Sequence, residues 1–97
     1  MTPDALKAAL ERLPLREKEV RVGGRPGQWL ATVISPDYEG VPDHKRQSDA
    51  WGALLNAYGM SVSREVEFVY TFSRAEVEEM ESQAANDELI AQAAAGS

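Results

Sequence analysis

The feature that most restricts the fold of this chain is a hairpin pattern in its first third. Val20 and Val22 alternate with the charged residues Glu19 and Arg21. After a turn, residues 28–34 form a second alternating segment, in which both faces of the predicted strand carry apolar residues. The turn, residues 23–27, reads Gly-Gly-Arg-Pro-Gly, in which the glycines permit positive φ and the proline presets a bend. This pattern predicts two antiparallel strands over residues 17–22 and 28–34.

Two helical patterns enclose the hairpin. Residues 2–13 open with Thr-Pro-Asp, which suits a helix start, and carry Leu and Ala at helical spacing. Residues 43–58 form the longest helical pattern, which Gly59 ends. Between them, residues 35–42 contain two prolines and a glycine and are predicted to be a loop, with Tyr38 anchoring it to the core.

A third strand is predicted over residues 62–72, and a last helix begins at Ser73, which forms a capping box with Glu76. The expected apolar side of the strand carries Val62, Val66, Phe68, Tyr70 and Phe72. The opposite side carries Glu65, Glu67 and Thr71 and is expected to face water.

The order of elements is therefore α-β-β-α-β-α. A helix joins the second and third strands, and such a crossover makes the strands parallel and right-handed. The sequence predicts a single α+β domain over residues 1–85, with a mixed three-stranded sheet and helices on one face. Residues 86–97 are expected to be a helical extension or a frayed tail.

Composition excludes several classes of protein. The 97 residues suffice for one domain, and 10 basic against 16 acidic residues give a net charge of −6, which disfavours binding to a phosphate backbone. The chain has no cysteine and a single histidine, so thiolate sites and His-pair metal sites are absent. No apolar run is long enough for a membrane span, and the N-terminal segment does not resemble a secretory signal, so we expect a cytoplasmic protein.

No constellation in the sequence indicates catalysis. There is no Gly-x-Ser-x-Gly turn and no phosphate-binding loop, and the many carboxylates lie on predicted surfaces. Gly24 and Gly27 form a GxxG pattern like the RNA-clamping loop of KH domains, but that loop joins two helices and this one joins two strands. We therefore predict a non-enzymatic protein with no metal and no cofactor.

One modest basic patch is predicted at the start of the main helix, from His44, Lys45 and Arg46, with Arg64 nearby. It is either a solvated helix start or a weak contact for nucleic acid or another anionic partner.

The segment VISPDYEGVPDHKRQSDAWGALL closely resembles the signature of the BolA-like family. That signature has a strand ending in Val-Ser, an aromatic-Glu-Gly loop, and a helix that opens with Arg-His-Arg and continues to a buried Leu. The matching residues are Ser35, Tyr38, Glu39, Gly40, Arg46 and Leu54. The resemblance extends over roughly residues 3–80 and implies a KH-like α/β fold.

The resemblance implies a partner-binding protein. BolA-like proteins pair with monothiol glutaredoxins, help to ligate a shared two-iron, two-sulfur cluster through histidine, and have roles in iron–sulfur maturation, stress response and transcription. Here the helix histidine of the family is Gln47, the following arginine is Ser48, and the strand histidine falls on Arg64 or Glu65. Gln, Ser and Arg are poor donors to cluster iron, so we expect no cluster, with Glu65 as an unorthodox ligand kept as an alternative.

These inferences predict a BolA-like adaptor or regulator that binds another protein, with a monothiol glutaredoxin as one candidate, or binds itself. The alternative is a weak nucleic-acid-binding KH-like module or transcriptional regulator. The predicted partner surface consists of Tyr38, Glu39, His44, Lys45, Arg46, Gln47, Arg64 and Glu65. An exposed edge strand is expected to offer a second mode of pairing.

Overall fold

A computed structural model describes residues 1–83. In chain order the elements are helix α1 (Pro3–Glu11), strands β1 (Glu19–Arg25) and β2 (Gln28–Ile34), helices α2 (Asp43–Tyr58) and α3 (Val62–Glu65), strand β3 (Val66–Phe72) and helix α4 (residues 74–83). The main helix has the predicted bounds. The predicted domain limit at residue 85 and the tail 86–97 lie outside the described residues.

The three strands form one mixed sheet in the order β1-β2-β3. β1 and β2 are antiparallel, while β2 and β3 are parallel, as expected for two strands joined through a helix. The predicted α+β architecture is therefore confirmed.

The hairpin turn is tighter than the sequence predicted. Arg25 lies opposite Gln28, so only Pro26 and Gly27 form the turn. Gly27 has φ of +80°, which is the requirement at the second central position of a type II turn with proline before it. Gly24, expected in the turn, instead belongs to β1.

The core lies between one face of the sheet and the helices. Leu6 and Leu10 of α1 and Leu54 of α2 are fully buried. They pack with Val62 of α3 and with apolar residues on the inner face of the sheet. These sheet residues are Val20, Trp29, Ala31, Val33, Val66 and Val69. The alternation of buried residues in β2, at 29, 31 and 33, follows directly from the two-residue period of a strand.

The prediction for residues 62–72 is wrong in two respects. Residues Val62–Glu65 are a short helix, and only Val66–Phe72 form a strand. The pairing of β2 with β3 also shifts by one residue: Trp29 lies opposite Val66, but Leu30 lies opposite Phe68. Glu67 is therefore an extra residue, a β-bulge, and the side chains after it point to the opposite face from the one expected.

The bulge reverses the two faces of β3. Val69 and Thr71 are buried in the core, whereas Phe68 and Tyr70 are 44% and 42% exposed. The sequence predicts Thr71 on the wet face and these aromatic residues in the core, and both predictions are wrong. The open face of the sheet is therefore aromatic rather than acidic.

Within the described residues, no helix is long and apolar enough to cross a membrane.

Candidate functional site

Arg46 is a buried junction rather than part of a surface patch. The residue is only 7% exposed, and its guanidinium donates to the carbonyl oxygens of Tyr38, Val41 and Thr71 at 2.7, 2.8 and 3.2 Å. It also donates to Oε1 of Glu76 at 2.6 Å. One side chain thus joins the loop before α2, the end of β3 and the start of α4. Four of the five N–H donors of Arg46 are used within the fold, so the side chain belongs to the core and not to the exposed patch that the sequence predicts.

The capping box predicted at the start of α4 is present. The amide of Ser73 donates to Glu76 Oε1 at 2.8 Å, and the amide of Glu76 donates to Ser73 Oγ at 3.1 Å. The Ser73 amide, followed by the Arg46 guanidinium, lowers the pKa of Glu76 below its usual value of 4.5. Glu76 therefore both caps α4 and neutralises the buried arginine.

The Glu76 contacts predict a defined dependence of stability on pH. Because the pKa of Glu76 is lower in the folded protein than in the unfolded chain, its contribution is complete above the unfolded value of 4.5 and is lost as pH falls through the folded pKa. Urea unfolding of the Glu76→Gln variant should show weaker acid destabilisation below pH 4.5 than the parent chain. The matched control is Glu78→Gln, which changes an exposed carboxylate on the same helix. Equal acid destabilisation in the parent chain and the Glu76→Gln variant would contradict this role.

Gln47 occupies the position at which the resemblance places a histidine, and its side chain is half-buried. Its amide nitrogen Nε2 donates to the carbonyl oxygen of Val69 in β3 at 2.8 Å. The carbonyl oxygen of Phe72 accepts from the amide of Ser35, at the end of β2. Because backbone groups alternate in direction along a strand, the carbonyls of Val69 and Thr71 point to the free edge of β3. Gln47 and Arg46 thus cap this edge.

Tyr38 is 2% exposed, which confirms that it anchors the loop and removes its side chain from the predicted partner surface. Burial raises the pKa of its hydroxyl to about 12. Its ring lies 5.4 Å from the Arg46 guanidinium carbon. Within residues 1–83 the hydroxyl has no hydrogen-bond partner.

Side-chain contacts hold the loop around Tyr38 in place. Ser35 Oγ donates to the carbonyl oxygen of Arg16 at 2.7 Å and accepts from the amide of Asp37. The Asp37 carboxylate accepts from the Arg16 side chain at 2.9 and 3.1 Å, and this pairing lowers the pKa of Asp37. The serine and the aspartate therefore serve the loop conformation.

The remaining residues of the predicted basic patch do not form one surface. His44 and Lys45 are exposed at the start of α2, and Lys45 pairs with Asp49 at 3.1 Å. Arg64 lies in α3, beyond the far end of α2, and α2 runs about 21 Å from His44 to Tyr58. Because Arg46 is buried and Arg64 lies beyond the other end of α2, the four predicted bases do not form one cluster.

Glu39 is exposed in the loop. Glu65 is the last residue of α3, next to the start of β3, whereas the loop around Tyr38 lies near the end of β3. A Glu65 carboxylate oxygen is 3.3 Å from the amino group of Met1. Gln47 contacts Val69, and the strand from Val66 to Val69 spans about 10 Å. The predicted partner-surface residues therefore do not converge on one groove, because Glu39 and His44 lie near the start of α2 and Glu65 lies in α3, before β3.

The residues at the family's ligand positions do not fit an iron–sulfur cluster. The Gln47 side-chain amide donates to a backbone carbonyl. Glu65 supplies one carboxylate, which is a hard ligand, and it pairs with the Met1 amino group away from Gln47. Among residues 1–83, no three His, Cys, Asp or Glu side chains are grouped as metal ligands.

An aromatic ladder on the open face of the sheet is the feature that sequence reasoning missed. The rings of Phe68 and Tyr70 have centroids 4.7 Å apart, and those of Tyr70 and Phe72 are stacked at 6.2 Å. Leu30 and Thr32 of β2 lie beside the ladder and are half-buried. The alternation of aromatic residues was visible in the sequence, but the face they occupy depends on the bulge at Glu67, which has no clear local signal.

The architecture defines a class: a small α+β domain in which two helices cover one face of a β1-β2-β3 sheet and a loop–helix segment supports the third strand. No family model matches the chain, and no curated protein matches it. Among solved structures, it is similar to the crystal structure of a Bol-like protein from Babesia bovis, with a TM-score of 0.52 and 16% sequence identity. The match covers 84% of this chain and 94% of that chain. The BolA-like fold that the loop–helix segment implied is therefore confirmed.

Proposed function

We propose that this chain is a non-enzymatic BolA-like adaptor or regulator that binds a protein partner through the open face of its sheet. The observation that carries the proposal is the exposure of Phe68 and Tyr70, which continue into Phe72 as one aromatic ladder. Large aromatic side chains are enriched in protein interfaces, where they bury much area at low cost in conformational entropy. A contiguous apolar patch on an exposed sheet marks an interaction site.

The surroundings of the ladder favour a protein over a nucleic acid. Glu19 and Arg21 on the same face pair with each other at 3.0 Å, so they leave little net charge. Glu67 at the bulge is exposed and adds a negative charge. A phosphate backbone is bound through unpaired basic residues, and the basic residues predicted for that role are buried, paired or far apart. The nucleic-acid-binding alternative therefore has less support.

A monothiol glutaredoxin is the partner that we propose first, which would link the protein to iron–sulfur and stress-response systems. The support is the BolA-like fold together with the family signature around Tyr38 and Arg46. The family's histidines are absent, so the interaction would depend on surface contacts and not on a shared cluster.

The test is titration calorimetry with a purified monothiol glutaredoxin. We expect the Phe68→Ser/Tyr70→Ser double variant to bind at least about tenfold more weakly than the parent chain, since central aromatic anchors dominate interface energies. Met60→Ser is the matched control, because Met60 is 78% exposed and lies outside the ladder. Unchanged affinity of the double variant would reject this surface, and no binding by the parent chain would reject this partner.

A second measurement separates adaptor binding from cluster ligation. The visible spectrum of cluster-loaded glutaredoxin should not change when the chain is added. A spectral change that Glu65→Ala abolishes would contradict the proposal and would support Glu65 as an unorthodox ligand.

A further inference from the structure

The two edges of the sheet differ in how far they are protected. At the β3 edge, the outward carbonyls of Val69 and Thr71 are occupied by side chains of α2. β1 is the other edge, and no strand among residues 1–83 pairs with its outer side. An edge strand that lacks such protection is a template for another strand.

The free edge of β1 also has space beside it. A groove of about 700 Å³ runs between the edge and α1, lined by Lys7 and Glu11 of the helix and by residues 17–21. The seven residues of β1 contain no proline, so the backbone amides that point away from β2 remain available for pairing. The outer side of β1 is therefore open to a second strand in both hydrogen bonding and space.

The charges of β1 are self-complementary about Val20. Glu19 and Arg21 flank this valine on the open face of the sheet, and their side chains are 39% and 62% exposed. If two copies pair antiparallel about a two-fold axis at Val20, Glu19 of each copy lies opposite Arg21 of the other. A shift of the axis to Glu19 or to Arg21 places like charges opposite each other, which is unfavourable.

We propose that two copies of this chain pair edge to edge through residues 19–21 of β1, antiparallel and with the two-fold axis at Val20, so that their two three-stranded sheets join at this edge. The two Glu19–Arg21 pairs across the axis would join the existing pairs within each chain, together with Arg74, which lies 3.6 Å from Glu19. Such a network of charges contributes more to stability than isolated surface ion pairs do. The dimer leaves the aromatic ladder of each copy open, so the proposal stands apart from the proposed function.

Disulfide trapping tests the register directly, because the chain has no cysteine of its own. Residues directly opposite each other in an antiparallel pair lie within the range that a disulfide can bridge. Mixing a Glu19→Cys variant with a differently tagged Arg21→Cys variant under mild oxidation should give a mixed disulfide dimer. Neither variant alone should cross-link to a comparable extent. Equal cross-linking of either variant alone, or preferential cross-linking of Glu19→Cys to Arg25→Cys, would overturn the register.

Charge exchange tests the interaction that selects the register. Light scattering of the parent chain at high protein concentration should give the mass of a dimer. The Arg21→Glu variant should dissociate at least about tenfold more readily, and the double exchange Glu19→Arg/Arg21→Glu should restore the dimer. A monomeric parent chain, or a double exchange no better than Arg21→Glu in a folded protein, would reject the proposal. The Phe68→Ser/Tyr70→Ser variant should remain dimeric, which separates this result from partner binding.

Discussion

Replacing Arg46 by alanine is expected to lower the free energy of unfolding by about 3–5 kcal/mol, since each buried carbonyl left without a donor costs roughly 1–3 kcal/mol. The substitution removes the shared donor of three backbone carbonyls and leaves Glu76 without its cationic partner. Buried carbonyl groups without donors are costly, and here two of the bonds are themselves buried. Urea unfolding followed by tryptophan fluorescence measures the change.

Two variants give this measurement its controls. Lys45→Ala removes the neighbouring exposed base and its pair with Asp49, and should change stability by no more than about 0.5 kcal/mol. Arg46→Lys keeps the positive charge but cannot reproduce the planar fork that contacts Tyr38, Val41 and Thr71, so it should recover only part of the loss. If Arg46→Ala is no more destabilising than Lys45→Ala, Arg46 is not the junction of the fold.

The role of Arg46 illustrates where sequence reasoning stopped. The charged run around residues 43–49 is typical of a solvated helix start, and Lys45 conforms to that pattern. Arg46 does not, because its partners are backbone carbonyls, which leave no trace in a sequence, and Glu76, which lies thirty residues away. Burial of an arginine requires such partners, so its position could not be predicted before the tertiary contacts were known.

Local patterns predicted most of the architecture. The bounds of α2 follow from its helical period and from Gly59, and the capping box of Ser73 and Glu76 forms as expected. The parallel pairing of β2 with β3 follows from the crossover between them. These features depend on neighbouring residues or on connectivity, both of which a sequence contains.

The candidate site depended instead on a single inserted residue. Counting alternation through Glu67 without a bulge places Phe68, Tyr70 and Phe72 in the core. One extra residue reverses the side chains that follow and turns a predicted core stripe into an exposed surface. The proposed partner surface therefore follows from the register between β2 and β3.

The second large effect is expected at Gly24, where alanine should lower the free energy of unfolding by about 2–4 kcal/mol. Gly24 has φ of +94°, which side-chain-bearing residues rarely adopt. A Cβ there would lie 2.5 Å from the carbonyl oxygen of Gln28 and 3.2 Å from the amide nitrogen of Leu30. Both are backbone atoms of the paired strand, so the clash is relieved only by distorting the hairpin.

The adjacent glycine supplies the matched control. Gly23 lies in the same strand, outside the positive-φ region, and nothing lies within 4 Å of a Cβ added to it. Gly23→Ala should therefore change the thermal midpoint little, whereas Gly24→Ala should lower it by several degrees, because about 1 kcal/mol shifts the midpoint of a small domain by roughly 4–8 °C. Gly27→Ala, with positive φ but open space, should fall between the two because it incurs the conformational cost without the clash. If Gly24→Ala and Gly23→Ala have the same midpoint, β1 and β2 do not approach as closely at Gly24 as this structure requires.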